Sequence, residues 1–157
     1  MELLFLLSFL LHNMEEGIWL PRWSKHAEKY HPQVSNREFH FALMVITVFG
    51  FFVTFQFLLF GPSFETIKYI YLGFILMMCF NSVFPHLLAT IVLRRYAPGT
   101  LTGLLLNLPI GIVIIARNLE AGLQLPSILV AGIIVTIITI VSLRLLFKLG
   151  TILIEEY

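Results

Sequence analysis

The chain has 157 residues, a formal net charge of +1 and one cysteine. Its apolar fraction is 59% and its charged fraction 12%, against about 45–50% and about 25% in soluble domains. This leaves too little polar surface for a soluble fold of this length. It gives no basic field for nucleic acid, and a lone cysteine rules out both an intrachain disulfide and a zinc-knuckle spacing.

The first apolar stretch, MELLFLLSFLLHNMEE, has neither a basic leader nor a small-x-small cleavage site, so it reads as a retained helix rather than a signal peptide. It spans about residues 2–20 and should stop at Pro21. A second span covers about 38–60 and ends at Gly61-Pro62. A third, about 64–93, is long and should kink at Pro85. A fourth covers about 99–116 and a fifth about 126–149. Each reaches the roughly 20 apolar residues needed to cross a bilayer. In lipid only helices or closed barrels satisfy their own backbone. The expected fold is therefore all-α: a polytopic membrane helix bundle of about five transmembrane helices, forming one integral membrane domain over residues 1–157.

The connector 21–37 is too polar to span. With Trp19, Trp23 and Tyr30 near it, it reads as an amphipathic segment on the inner membrane surface. Ser35-Asn36-Arg37-Glu38 has the form of a capping box at the head of the second helix. Arg22, Lys25, Lys29 and Arg37 lie in this connector, Arg94 and Arg95 in the third, and Arg144 and Lys148 near the C-terminal end. The positive-inside rule then predicts connectors one and three and the C-terminus in the cytoplasm and the N-terminus outside, as in an inner (cytoplasmic) membrane protein.

Within the first span, His12, Glu15 and Glu16 fall three and four residues apart and share one side of a helix, with Ser8 a turn further on. A charge at mid-bilayer costs on the order of 2.5–3.5 kcal/mol, so these groups are expected to face the protein interior. At about 1.5 Å per residue, His12, His86 and Asn107 each lie roughly 12 Å from the cytoplasmic ends of their helices. That common depth predicts a shared layer. Ser82, His86 and Thr90 form a polar stripe on the third helix. Pro85 frees the carbonyl of Asn81. Thr100, Gly103, Asn107 and Gly111 form a small-residue packing stripe on the fourth.

Histidine and glutamate are ligands for zinc, manganese or iron. H-x-x-E-E is similar to the inverted zincin signature H-x-x-E-H. On that pattern His12, Glu16 and His86 are the expected metal ligands. Glu15 is the expected general base on a bound water, with Asn81 and Asn107 beside it as catalytic candidates. The two glutamates could exchange roles. An acid–base pair without metal is the first alternative, because two adjacent carboxylates in low dielectric do not both ionise uncompensated. A structural network with Arg94, Arg95 or Arg22 is the second. Arg94 and Arg95 could also hold an anionic headgroup. Glu38 reads as a cap, His40 as interfacial, His26 and His31 as surface residues, and Cys79 as a small apolar residue.

The chain resembles the HXXEE membrane proteins, a bacterial family named for its motif, here His12-Asn13-Met14-Glu15-Glu16. The likeness extends through LPRW at 20–23, REFHFA at 37–42 and NSVFPHLLATIVLRRYAPGTLTGLLLNLP at 81–109. Asn81, His86, Arg95-Tyr96-Ala97-Pro98-Gly99-Thr100 and Asn107 fit the family pattern. The resemblance covers about two thirds of the chain and excludes the last helix. It implies an enzymatic or metal site and brings no defined activity. Three functions follow from the residues. The first is a metal-dependent intramembrane enzyme on a lipidic or apolar substrate, by hydrolysis or proton transfer. The others are a proton- or ion-coupled carrier using the same cluster, and a non-catalytic interaction subunit. The expected partners are the lipid bilayer and such a substrate, with no nucleic acid; nothing in the pattern assigns an oligomeric state.

Overall fold

The computed structural model describes residues 1–25 and 36–155, so Tyr30, His26, His31 and the Ser35 cap lie outside the described residues. Among the described residues there is no strand, and five helices are long and apolar enough to cross a membrane. They are α1 (Glu2–Ser24), α2 (Asn36–Phe60), α3 (Glu65–Val92), α4 (Thr100–Glu120) and α5 (Leu125–Glu155).

The arrangement is inside-out relative to a soluble bundle. The most apolar windows of α2 and α5, with mean hydropathy 2.3 and 2.5, are each only 17% buried, whereas α1, at 1.3, is 39% buried. The least greasy helix sits deepest because its polar side chains need protein partners, while α2 and α5 can meet lipid. α5 packs along α2 and α3, and α1 packs against α2 and α4. A Cβ on Gly73 would stand 2.8 Å from the backbone of Ala131, so α3 and α5 cross almost in backbone contact. Phe5, Phe9 and Phe74 meet edge to face inside the bundle.

α1 does not stop at Pro21 but continues through Ser24. A proline inside a helix removes one N–H and leaves the carbonyl four residues earlier without a partner. Here that carbonyl belongs to Gly17, and His40 Nε2 on α2 donates to it at 2.8 Å. Ser24 Oγ in turn donates to Pro21 O at 2.9 Å. The freed group is satisfied by tertiary contact, so the helix continues.

Pro85 does interrupt α3, as its chemistry predicts. Phe84 takes an extended conformation (φ −128°, ψ 114°) inside a widened turn over Ser82–Leu87. α4 has its own wide turn at Gly103–Asn107, ahead of Pro109. The two wide turns face each other: a Cβ on Gly103 would lie 2.9 Å from Ser82 Cβ and Oγ. α1 packs against the same end of α4, and these three segments enclose the site.

Candidate metal centre

His12 is fully buried on α1, and His86 is 5% exposed on the widened turn of α3. Their rings meet edge to face with centroids 5.0 Å apart. Glu16, one turn after His12, places Oε1 2.9 Å from His86 Nε2 and 3.7 Å from His12 Nε2. The three ligand atoms all lie within 4.8 Å of one another. Gly99 supplies the back wall. A Cβ there would stand 2.7 Å from His86 Cε1 and 2.9 Å from His12 Cε1, and its φ of 91° is one that glycine adopts without strain.

Glu15 turns the other way, toward the start of α4. Its Oε1 accepts from Tyr96 Oη and from Gly99 N at 2.8 Å. Its Oε2 accepts from Thr102 N at 3.1 Å and Thr102 Oγ1 at 2.6 Å. The N–H groups of a first helical turn have no intrahelical acceptor, and the helix dipole favours an anion there. Glu15 therefore serves as the buried anion at the N-terminus of α4. Burial, reinforced by the bond to Glu15, pushes the Tyr96 phenol up to about 12, so it remains a donor at neutral pH.

This network also fixes the proton on His12. The single Thr102 hydroxyl hydrogen goes to the Glu15 carboxylate, so toward His12 the same oxygen can only accept. His12 Nδ1–H therefore donates to Thr102 Oγ1, 3.1 Å away. The lone pair of His12 is then on Nε2, facing Glu16 and His86. A metal-bound histidine is commonly oriented in this way, through a bond from its other ring nitrogen.

The donor set could hold a cation. Asn81 Nδ2 stands 3.3 Å from His12 Nε2 and 3.1 Å from His86 Nε2, which asks for a lone pair on each. Glu16 Oε1 beside His86 Nε2 asks for an N–H on that same atom. One nitrogen cannot be both at once: a protonated His86, a turned Asn81 amide or a cation shared by the facing lone pairs each resolves the conflict. Two zinc ligands at about 2.0–2.1 Å stand about 3.3 Å apart across a tetrahedral angle; the two carboxylate–imidazole distances here, 2.9 and 3.7 Å, bracket that value. His₂Glu is also a known catalytic zinc donor set, and two histidines with one carboxylate serve non-haem iron. Among the described residues neither Glu15 nor Glu16 pairs with a lysine or arginine; the ion-pair contacts of Glu16 are to imidazoles.

The family described as "Protein of unknown function with HXXEE motif" matches residues 3–114. The chain belongs to the HXXEE family. It is 42% identical over 147 residues to "Uncharacterized protein YrkK" of Bacillus subtilis (strain 168), covering 93% of this chain and 92% of that one. No solved structure matches.

The HXXEE motif thus has two jobs in space. Its histidine and second glutamate face the cluster, and its first glutamate holds the N-terminus of α4. Asn107 stands away from this cluster. Ser8 Oγ donates to its Oδ1, Cys79 Sγ lies 3.7 Å from its carbonyl oxygen, and its Nδ2 has no acceptor among the described residues. The depth arithmetic assumed that α4 begins at the membrane surface. Instead, residues 97–102 fold inward, so Gly99 and Thr102 already stand at the level of the histidines and Asn107 lies deeper. Arg95 lines a groove beside α1, together with Arg22, whereas Arg94 does not. Glu38 accepts from Thr151 Oγ1 on α5 at 2.8 Å.

The sequence singled out Tyr96 and Gly99 only as part of the family pattern, and missed Thr102. The available signal was the turn chemistry of Tyr-Ala-Pro-Gly-Thr: a glycine-led helix start with free N–H groups is a ready anion site.

Proposed function

We propose that this HXXEE protein is a metal-dependent intramembrane enzyme that performs hydrolysis or proton transfer on a lipidic or apolar substrate. One observation carries the reading: two imidazoles and one carboxylate converge from α1 and α3, and no fourth ligating side chain joins them among the described residues. Three protein ligands with one side left for substrate is the catalytic pattern, while four is the structural one.

A divalent zinc, manganese or iron ion held there supplies Lewis-acid polarisation of a substrate oxygen. The other work belongs to the chain. His12 and His86 bind, and Glu16 binds through Oε1. Glu16 Oε2, which no protein donor among the described residues engages, is placed to take a proton. This replaces the base role expected of Glu15, whose four acceptor positions are all filled. Asn81 stands over both Nε2 atoms and orients what enters. The basic connectors support the predicted topology: N-terminus outside, with connectors one and three at the cytoplasmic face of the cytoplasmic membrane.

The test is metal analysis of detergent-purified protein, followed by incubation of the loaded protein with bacterial polar lipids and product detection by mass spectrometry. We expect about one ion per chain in wild type, none in His12→Ala or His86→Ala, and a product only with the loaded wild type. A wild type that never retains a metal removes this reading.

A further inference from the structure

A groove of about 730 Å³ runs beside α1, between it and residues 95–102. Its size is that of a small-molecule site. Leu11, Met14 and Ile18 form its wall along α1, and Leu101 and Pro98 face them. Three turns along α1 from Leu11, Arg22 enters the lining, and Arg95 enters from the connector. Among the described residues neither guanidinium is paired with a carboxylate. Glu15 also touches the groove; its oxygens accept from Tyr96, Gly99 and Thr102, and no ion pair joins it to either guanidinium.

We infer that this groove seats a membrane lipid with an anionic phosphate headgroup, its phosphate on Arg22 and Arg95 and its acyl chain along Leu11, Met14 and Ile18. Two arginines with no carboxylate partner among the described residues, at one end of an apolar trough, complement an anionic amphiphile. Their planar forks suit phosphate oxygens. A free phosphate would use the arginines and leave the apolar wall without a role. A neutral lipid would use the wall and leave two cations unpaired. The inference names a substrate class for the enzyme proposed above and rests on that reading for its link to the metal centre, through Thr102, but not for binding itself.

The protein carries its own probe. Its two tryptophans, Trp19 and Trp23, both line this groove. Purified protein in neutral detergent is titrated with phosphatidic acid carrying brominated acyl chains, which quench nearby indoles, and separately with the matching phosphatidylcholine. We expect saturable quenching by the anionic lipid at a half-saturation about tenfold or more below that of the zwitterionic one, as charge-assisted bonds to phosphate imply. Arg22→Gln with Arg95→Gln should abolish that preference, Arg22→Lys with Arg95→Lys should retain most of it, and excess inorganic phosphate should not displace the lipid. Equal quenching by both lipids, or an unchanged preference in the glutamine variant, overturns the inference in favour of a wall that merely faces bulk lipid. Displacement by phosphate overturns it in favour of a free-anion site. Metal content is measured on the same samples. A metal-free wild type with selective quenching defeats the enzyme reading alone, and a loaded one without selectivity defeats this inference alone.

Discussion

Adjacent residues on a helix point about 100° apart, and that angle separates the two glutamates of the motif. Glu15 is stabilised by four donors. Hydrogen bonds to charged groups contribute about 1.5–3 kcal/mol each, so together they exceed the roughly 2.5–3.5 kcal/mol cost of a mid-membrane charge. Among the described residues the ion-pair contacts of Glu16 are to imidazoles alone, and a metal ion held there would supply its counter-charge. The pair should therefore respond differently to the same substitution. Glu15→Gln sets an amide N–H₂ against donors and should cost several kcal/mol, read as a lower midpoint of thermal unfolding in detergent. Glu16→Gln should abolish metal retention, and its midpoint should nearly match that of the metal-free wild type. Equal effects from the two variants would contradict the division of labour. Thr102→Val removes the hydroxyl that orients His12 and should weaken metal binding about 10–100-fold, as loss of an orienting partner does. Thr102→Ser should restore it.

At the level of elements, the site is built where helices are irregular. The widened turn at Ser82–Leu87 presents His86, and the start of α4 brings Gly99 against both rings. α5 packs on α2 and α3, outside the group of segments that holds the cluster. Stability and metal binding should therefore separate along the chain. Gly73→Val would press a side chain into the backbone of Ala131 and should destabilise by about 1–3 kcal/mol while metal stoichiometry holds. Gly99→Ala should do the reverse, displacing the imidazoles and reducing metal content more than stability. Metal titration and thermal unfolding of both variants check this.

For the whole molecule, the positive-inside rule assigns the basic connectors to the cytoplasmic side, and this proposed topology is open to labelling. Cys79, the one native thiol, is buried, so introduced cysteines can be read against a silent background. A membrane-impermeant maleimide applied to intact cells should label Ser63→Cys and Ala121→Cys and spare Lys25→Cys until the membrane is broken. Labelling of Lys25→Cys from outside would invert the orientation and place the groove in the opposite leaflet.

What the sequence determined by itself was set by composition and short-range spacing. Five apolar runs separated by proline, glycine and basic connectors are long enough to span a membrane as helices, the form in which a chain satisfies its own backbone there. His12 and Glu16 share a helix face because 3.6 residues make a turn. Tertiary structure decided what spacing along one helix cannot encode. His40 caps the carbonyl freed by Pro21, so α1 runs past its expected stop. The inward fold of residues 97–102 brings Gly99 and Thr102, rather than Asn107, to the histidines. Glu15 and Glu16 acquired different partners because each buried carboxylate must find donors or a cation in three dimensions, and the partners seen here lie 70 to 87 positions away.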